Sequence, residues 1–439
     1  MKVKNKRGTS LSVSKIIHIL LSILSILFLM FSMKYYNAAK ISFQDEHQTT
    51  TITTTSSSSS SSMSKNLTKL IQPDGHKNVP HPLKRIGPDG QPGYKHDPKF
   101  IIRNPPSFHI QPHDKNELCK PFGHGLEGME SINAIQKIRQ NVESSYHNNK
   151  DVKLFCAVYT YSGGINNTNA IRDTWGKRCD GLLFASDHSS DIDGHMHLPG
   201  DSRNYGFNYN SMYQRVRAMK AYIYDNFLNE YDFFHFCGDD TFMIVENMKE
   251  FLASDKVMEW DNTQDKQVIA GDWLHWEAPY GKFPPSGTFY LNGAPGYTLS
   301  RKALKMYVEG PMEACEWKNT GMEDLAFSEC LRSQNYTEEN TFINTIDDVG
   351  AHRYHPMNIT HHSKWSGEQV PSSNVGMYMN VVLPRSFKYF EKEYGFPTLY
   401  KDDYVSNSSV IFHKTAAMGM RRMEMLLYRD IEKDCAGLL

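Results

Sequence analysis

The sequence predicts an α/β domain with a largely parallel sheet. The alternation of strand-like and helix-like segments predicts this fold class, and the hydrophobic content allows a core of sufficient size. From about residue 151 onward, short apolar runs alternate with segments in which apolar residues recur at helical spacing. Alternating strands and helices are typical of units in which helices cover both faces of a parallel sheet. The 39% hydrophobic content is sufficient for a large core. A chain of 439 residues allows one large domain with appendages, or two domains.

The predicted elements begin with a lead-in helix at 129–146, where Ile and Val recur at helical spacing. The predicted strands are short apolar runs at 152–160, 181–186, 231–237 and 266–273. The predicted helices lie between them, at 169–176, 209–228 and 241–253. No internal repeat is visible.

The chain before this domain has three parts of different composition. Residues 1–15 carry basic side chains and no acid, and residues 16–33 form an apolar run. The run is long enough for a membrane-spanning helix whose basic flank stays in the cytoplasm. A cleaved signal peptide is the alternative, since small residues at 36–40 would suit a cleavage site. Residues 34–128, rich in Ser, Thr, Pro and Gly, are predicted to be an extended stem. Residues 129–439 would then lie in the lumen of the secretory pathway.

Charge and cysteine content agree with this compartment. The net charge of −1 gives no indication of a nucleic-acid-binding surface. The seven cysteines fit an oxidising lumen, and their odd number leaves at least one without an intramolecular partner. Five Asn-x-Ser/Thr sites, which accept N-glycans in that compartment, begin at Asn66, Asn166, Asn335, Asn358 and Asn407.

Two adjacent carboxylates, Asp239 and Asp240, directly follow the predicted strand at 231–237. In open α/β sheets, ligands bind beyond the carboxyl ends of the strands. Hard oxygen ligands at such a place suit Mg²⁺ or Mn²⁺, which proteins share with substrate phosphates. The alternative is a turn whose aspartates cap the next helix.

Five motifs place this acidic pair in a wider pattern. They are IRDTWGKRC (171–179), GDDTFMIVENM (238–248), NGAPGYTLSRKAL (292–304), GMEDLAFSECL (321–331) and SSVIFHK (408–414). In this order they resemble glycosyltransferase family 31 over roughly residues 151–430. The likeness is greatest to the members of the family that make core 1 O-glycans.

The resemblance implies a GT-A fold, in which a Rossmann-like nucleotide half is fused to an acceptor half. It implies a Mn²⁺-dependent enzyme that transfers galactose from UDP-galactose, with inversion, to the 3-hydroxyl of O-linked N-acetylgalactosamine on glycoproteins. It also implies a single-pass type II protein of the Golgi membrane. Because relatives form dimers, a homodimer is a further expectation.

The resemblance also assigns residues to the metal and to the donor. Asp240 and His413 match the positions that bind the metal. Further donor-binding positions are Arg172, Arg215, Asp239 and Gly293. A guanidinium can pair with diphosphate oxygens, although Arg172 would serve equally as a surface salt-bridge partner. Glycine lets the backbone approach a sugar closely, although a plain strand-to-helix turn would also explain Gly293.

The catalytic base of the resemblance falls on Asp324, with Glu323 beside it. Consecutive helical side chains point in different directions, so only one of the two carboxylates can readily face the acceptor. The alternative is that both are acids favoured by the dipole at a helix N-terminus. One departure from the family is Gly238, which stands where the family has the first of three acids. Its loss is expected to weaken donor binding more than metal binding.

The resemblance implies two disulfides, Cys156–Cys179 and Cys315–Cys330. Cys237 lies inside a predicted strand and is expected to be a buried free thiol. Cys119 and Cys435 remain as a further candidate pair.

Two other functions remain open from the sequence. One is a β1,3-hexosyltransferase that uses UDP-N-acetylglucosamine or a different acceptor. The other is a non-catalytic folding chaperone like a relative in the family that lacks the acidic motif. Gly238 favours the chaperone, whereas the retained Asp239, Asp240, Asp324 and His413 favour an enzyme.

Overall fold

The computed structural model describes residues 3–4, 10–11, 118–119, 132–145, 152–187, 189–190, 194–197, 212–263, 265–276, 288–315, 322–341, 343–365, 391–392, 395 and 397–429. The predicted anchor at 16–33 lies outside these residues, as does almost all of the predicted stem. Among the described residues, no helix combines the length and the apolar character needed to cross a membrane.

The chain divides into two compact units, Met1–Gly75 and His76–Leu439. In the first unit, the described residues are two short antiparallel strands, Val3–Lys4 and Ser10–Leu11. The second unit contains the predicted α/β domain, and its elements are numbered from its own start.

The strands of the second unit form two sheets. The strands are β1 (Leu154–Tyr159), β2 (Gly181–Ser186), β3 (His195–His197), β4 (Phe233–Gly238), β5 (Phe242–Met243), β6 (Ile269–Trp276), β7 (Thr288–Ser300), β8 (Tyr354–His355) and β9 (Ile411–Phe412). The larger sheet has six strands in the order β3–β2–β1–β4–β7–β6. Its first four strands are mutually parallel, and β7 joins antiparallel to both β4 and β6. The mixed α/β architecture with a parallel-rich sheet fits a Rossmann-like fold, as the sequence predicts.

The helices of the second unit lie mostly between these strands. They are α1 (Ile132–Ser145), α2 (Ile165–Asp173), α3 (Met212–Phe227), α4 (Val245–Leu252), α5 (Asp255–Asn262), α6 (Arg301–Glu309), α7 (Pro311–Ala314), α8 (Glu323–Ser333), α9 (Glu338–Thr341), α10 (Ile359–Lys364) and α11 (Ala417–Tyr428). The helix predicted at 241–253 begins later than expected. Its first residues form β5 instead, because Phe242 and Met243 pair with β9.

The central strand β1 divides the core into two hydrophobic clusters. Leu154, Cys156 and Val158 belong to one cluster, together with residues of α1, α2, α4 and α11. Phe155 and Ala157 belong to the other, together with residues of α3, α6 and α8. Successive side chains of a strand point to opposite faces of its sheet, so β1 is buried on both sides and its sequence is apolar throughout.

Both predicted disulfides are confirmed. Cys156 in β1 pairs with Cys179, and Cys315 pairs with Cys330 in α8. Cys237 is buried and free, as expected. Cys119 also forms a disulfide, whereas its predicted partner Cys435 lies outside the described residues.

Candidate active site

A cavity of about 640 Å³ opens at the carboxyl ends of β1 and β4. These two strands are parallel neighbours, and Tyr159 at the end of β1 lies opposite Gly238 at the end of β4. The lining residues come from seven segments of the chain. They are Tyr159, Thr160, Tyr161, Asn167, Met212, Arg215, Gly238, Asp239, Asp240, Asn292, Gly293, Ala294, Glu323, Asp324 and His413.

Asp239 is held by side chains from the neighbouring strand and helix. The hydroxyl of Thr160 donates a hydrogen bond to Oδ2 of Asp239, and Nδ2 of Asn167 lies 3.5 Å from Oδ1. The amide oxygen of Asn167 also accepts from the backbone N–H of Ala417 at 3.0 Å, which ties this corner to the start of α11. Burial raises the pKa of Asp239 above its ordinary value, Thr160 lowers it, and the charge of Asp240 raises it further.

Asp240 faces His413. The smaller sheet, with the strand order β8–β9–β5, brings the two residues together. Strand β9 pairs antiparallel with β5, so Phe412 lies opposite Phe242, two residues after Asp240. The backbone N–H of Thr415 also donates to the carbonyl of Asp240 at 2.8 Å. Nε2 of His413 therefore lies 3.2 Å from Oδ2 of Asp240. Burial alone would raise the pKa of Asp240, but the hydrogen bond and the charge of His413 hold that pKa below its ordinary value.

The Asp240–His413 pair has the chemistry of a metal-ligand pair. Nδ1 of His413 donates to the carbonyl of Pro356 at 2.9 Å. A backbone carbonyl on one ring nitrogen fixes the tautomer and leaves the other nitrogen to bind a cation. A carboxylate oxygen is a donor that suits Mn²⁺, whereas an imidazole nitrogen is a donor to many divalent transition metals. Within the described ranges no group of three or more His, Cys, Asp or Glu side chains is arranged to hold a metal ion.

Asp324 approaches the cavity from the first turn of α8. Its Oδ2 accepts the backbone N–H of Gly293 at 2.9 Å, and its Oδ1 accepts that of Leu325 at 2.8 Å. Gly293 reaches this position because residues 293–296 bulge out of β7, where the register with β6 shifts between Gly271 and Asp272. Burial raises the pKa of Asp324 to about 6; the hydrogen bond from Gly293 opposes this rise, and the charge of Glu323 adds to it.

Glu323 is buried in a different set of contacts. Its Oε1 accepts a hydrogen bond from the hydroxyl of Tyr297 and lies 3.4 Å from Nζ of Lys220. Glu323 also lines the cavity, although only 5% of the residue is exposed. Of the two candidate carboxylates, Asp324 is therefore the one without an ion-pair partner among these contacts.

The predicted arginines occupy different places. Arg215 in α3 lines the cavity. Arg172 is not one of the lining residues: its Nη1 donates to Asn169 Oδ1 at 3.0 Å, and its guanidinium lies over the ring of Phe184. Trp175 is fully buried and donates its indole N–H to the carbonyl of Thr241, which is a packing role.

Gly238 lies at the end of β4, directly before the acidic pair. A Cβ added there would come 3.1 Å from Oδ1 of Asp240 and 3.3 Å from Cε2 of Tyr159. Both separations are tighter than ordinary van der Waals contacts. The ring of Tyr159 thus occupies part of the space beside the acidic pair.

Several residues of the site were missed by sequence reasoning. Thr160 and Asn167 hold Asp239, and Asn292, which lines the cavity, donates to the buried Asp272 at 2.7 Å. The position of Thr160 carried a usable signal, because Thr160 is the last residue of the strand predicted at 152–160 and Asp239 comes just after the end of the strand predicted at 231–237. In neighbouring parallel strands such positions meet at one edge of the sheet. Asn292 and Asp272 carried no such signal, since their contact depends on the register shift.

Comparison with known proteins shows a distant relationship to a galactosyltransferase. No protein-family model matches the chain. A stretch of 185 residues is 26% identical to a Xenopus laevis protein named glycoprotein-N-acetylgalactosamine 3-beta-galactosyltransferase 1. The match covers 42% of this chain, and it spans about half, 46%, of that relative. The chain is therefore a distant relative of a galactosyltransferase.

Proposed function

We propose that this protein is a glycosyltransferase that moves galactose from UDP-galactose to the 3-hydroxyl of O-linked N-acetylgalactosamine on glycoproteins. One observation carries the proposal: a single cavity contains both the Asp240–His413 pair and the buried carboxylate of Asp324. The proposed transfer needs a metal site for the nucleotide diphosphate and a base for the acceptor hydroxyl. In this proposal the Asp240–His413 pair would hold the metal and Asp324 would be the base. The distant galactosyltransferase relative supports the same class of reaction.

Asp240 and His413 would hold a divalent metal, for which we propose Mn²⁺. Bound there, the cation would neutralise charge on the departing diphosphate. Asp239 has a supporting role in this proposal, because Thr160 and Asn167 already occupy its two carboxylate oxygens. It would orient the acidic turn rather than bind the metal directly. Arg215, which also lines the cavity, would face the phosphates.

Asp324 would act as the general base. It would accept the proton of the acceptor 3-hydroxyl while the acceptor oxygen forms a bond to the anomeric carbon and the bond from that carbon to UDP breaks. Attack from the face opposite to UDP inverts the configuration at that carbon. A base works best when its pKa lies near the working pH, and a pKa of about 6 for Asp324 meets this requirement.

The proposal includes the cellular setting expected from the sequence: a Golgi type II membrane protein with a luminal domain. The two disulfides of the described region favour an oxidising lumen. The acceptor would then be a glycoprotein that already carries N-acetylgalactosamine.

The full chain, expressed in a secretory host and purified in detergent, would be mixed with UDP-galactose and a peptide that bears O-linked N-acetylgalactosamine. Mass spectrometry follows the addition of one hexose, with Mn²⁺ and with a chelator. We expect metal-dependent transfer that Asp240→Asn and Asp324→Asn each abolish while both variants remain folded. Linkage analysis of the product then tests the 3-position and the inverted configuration.

The same assay separates the alternatives. Transfer from UDP-N-acetylglucosamine in place of UDP-galactose would point to a different β1,3-hexosyltransferase. A folded protein that transfers no hexose from any common UDP-sugar would refute the enzymatic proposal. It would favour the chaperone alternative, for which Gly238 is the supporting observation.

A further inference from the structure

Lys220 of α3 is a charged side chain buried inside the core beside the candidate site. Its relative exposure is 1%. The ammonium group lies 3.6 Å from the ring centroid of Phe327, 4.7 Å from that of Tyr307 and 4.8 Å from that of Tyr297. Aromatic faces attract a cation, most strongly where water is excluded. Burial lowers the pKa of Lys220 to about 8, with Glu323 opposing that shift, so the group stays largely charged at neutral pH.

The ammonium group has one anionic partner in this core. Nζ of Lys220 lies 3.4 Å from Oε1 of Glu323, which also accepts the hydroxyl of Tyr297. Tyr297 therefore contacts both members of the pair. Three elements meet at this point: α3 through Lys220, α8 through Glu323 and β7 through Tyr297.

Such a pair is not explained by stability alone. Removing two charges from water costs free energy that their attraction often fails to return, and apolar residues of similar volume are frequently as stable. The surrounding cluster is otherwise aromatic and aliphatic, and a methionine in place of Lys220 would fit its chemistry. A role that depends on where the pair holds its partners is the better explanation.

Through Glu323, Lys220 acts on the first turn of α8. Met322 at the N-cap makes no side-chain capping hydrogen bond. The first turn is instead fixed at two neighbouring residues: Glu323 is drawn into the core by Lys220, and Asp324 is held at the cavity by the N–H of Gly293. Because the two are adjacent in a helix, the direction of one side chain sets the direction of the other.

We propose that Lys220 is a positioning residue for the candidate base: by holding Glu323 in the aromatic core, it orients the first turn of α8 so that the carboxylate of Asp324 faces the cavity. This inference rests on the proposed function, in which Asp324 takes the proton of the acceptor. Lys220 itself does not line the cavity and contacts no substrate in this proposal. Its effect passes through Glu323.

The test compares Lys220→Met, Glu323→Gln and the double variant with the unchanged full chain. Lys177→Met is the matched control, since Lys177 forms an ion pair with Glu424 at 2.9 Å, away from the cavity. We expect Lys220→Met to lower kcat by about tenfold to a hundredfold, as small displacements of a catalytic group do. The KM for UDP-galactose should stay within about twofold, because Lys220 contacts Glu323 and the aromatic core rather than the Asp240–His413 pair.

Rescue separates positioning from general damage. Lys220→Met leaves the charge of Glu323 uncompensated, whereas the double variant restores a neutral pair in which the amide oxygen of the introduced glutamine can still accept the hydroxyl of Tyr297. We expect the double variant to recover most of the lost kcat. A folded Lys220→Met protein with unchanged kcat would overturn the proposal. So would a double variant that recovers none of it, or a loss equal to that of Lys177→Met.

Hydrogen exchange gives a readout that does not need activity. In Lys220→Met, the backbone amides of the first turn of α8 and the amide of Gly293 should exchange faster, and the double variant should reverse this. If the unchanged protein transfers no sugar from any donor, the proposed function fails and exchange alone decides the role of Lys220. Unchanged exchange at both places would then overturn the positioning role, and faster exchange that the double variant reverses would support it.

Discussion

The backbone N–H of Gly293 donates to Oδ2 of Asp324 at 2.9 Å, although the two residues belong to different elements and lie 31 positions apart in the chain. The contact links the bulge of β7 to the first turn of α8. It also explains why residue 293 is a glycine, since a Cβ there would lie 3.0 Å from Cβ of Asp324. The hydrogen bond favours the ionised carboxylate, and burial opposes it more strongly, so the pKa of Asp324 rises to about 6.

The raised pKa of Asp324 predicts the acidic limb of the activity profile. A general base works only when ionised, so kcat should fall as the pH drops through about 6 and reach a plateau above it. At pH 5 the rate should be about a tenth of the plateau value, as one titrating group requires. The measurement is kcat for galactose transfer between pH 4.5 and 8 at saturating donor, acceptor and Mn²⁺. An acidic limb near pH 4, the ordinary range of an aspartate, would contradict the assignment.

The same shift predicts that Asp324 lowers stability at neutral pH. A carboxyl with a higher pKa in the folded chain stabilises that chain only below the unfolded pKa, and this advantage is lost as the pH rises through the folded pKa. Asp324→Asn should therefore raise the free energy of unfolding at pH 7, by up to about 3 kcal/mol. This increase in the free energy of unfolding should shrink between pH 6 and pH 4, and it should vanish below pH 4. Urea unfolding at pH 7 and at pH 4 checks this.

Loss of activity together with gain of stability would distinguish a functional carboxylate from a structural one. If Asp324→Asn destabilises the protein at pH 7, the hydrogen bonds that the carboxylate accepts from Gly293 and Leu325 outweigh the cost of burying its charge. Thr298→Val offers a comparison in the same core. Its hydroxyl has several buried partners, including His235 at 2.9 Å, so that variant should lose stability at both pH values.

The Asp240–His413 pair predicts how metal affinity divides among the cavity residues. Asp240→Asn and His413→Ala each remove a proposed ligand and should weaken Mn²⁺ binding by at least about a hundredfold. Thr160→Val should weaken it by only about tenfold, because Thr160 acts through Asp239. Mn²⁺ titration in the presence of UDP, followed by electron paramagnetic resonance, measures all three.

His197→Gln, an exposed histidine at the end of β3, is the control for that titration and should leave affinity unchanged. Equal losses in Asp240→Asn and Thr160→Val would show that Asp240 is no closer to the metal than the supporting residues are. Unchanged affinity in His413→Ala would leave Asp240 as the protein ligand and remove His413 from the proposal.

Local patterns in the sequence were sufficient for the scaffold of the site. The apolar runs at 152–160, 181–186 and 231–237 became β1, β2 and β4, because such runs are buried on both faces of a parallel sheet. The run at 266–273 became part of β6, which pairs antiparallel at the end of the sheet. The acidic pair lies at the carboxyl end of β4, where a strand-end argument alone places it. The strand predicted at 181–186 has the same bounds as β2.

Local sequence patterns could not predict the contacts that depend on pairing between distant parts of the chain. The approach of His413 to Asp240 requires two-residue strands, β5 and β9, to pair across most of the domain. Strands that short have no periodicity to detect. Lys220 shows a related failure: a lysine in a helix normally indicates the solvent face, whereas the buried Glu323 that holds it inward lies about a hundred residues later.

Gly164 lies so close to Asp239 and Thr160 that a side chain at this position should disturb the site. A Cβ on Gly164 would lie 2.1 Å from Oδ2 of Asp239 and 2.3 Å from Oγ1 of Thr160. These two oxygens are hydrogen-bonded to each other. Gly164→Ala must therefore separate these two side chains or move the start of α2. We expect a loss of about 2 kcal/mol in the free energy of unfolding and weaker Mn²⁺ binding through displacement of Asp239. Gly310→Ala is the matched control, because its Cβ would meet only an ordinary contact at 3.4 Å. Urea unfolding and Mn²⁺ titration of both variants check this, and a Gly164→Ala protein with unchanged stability and affinity would show that Asp239 is not fixed by these contacts.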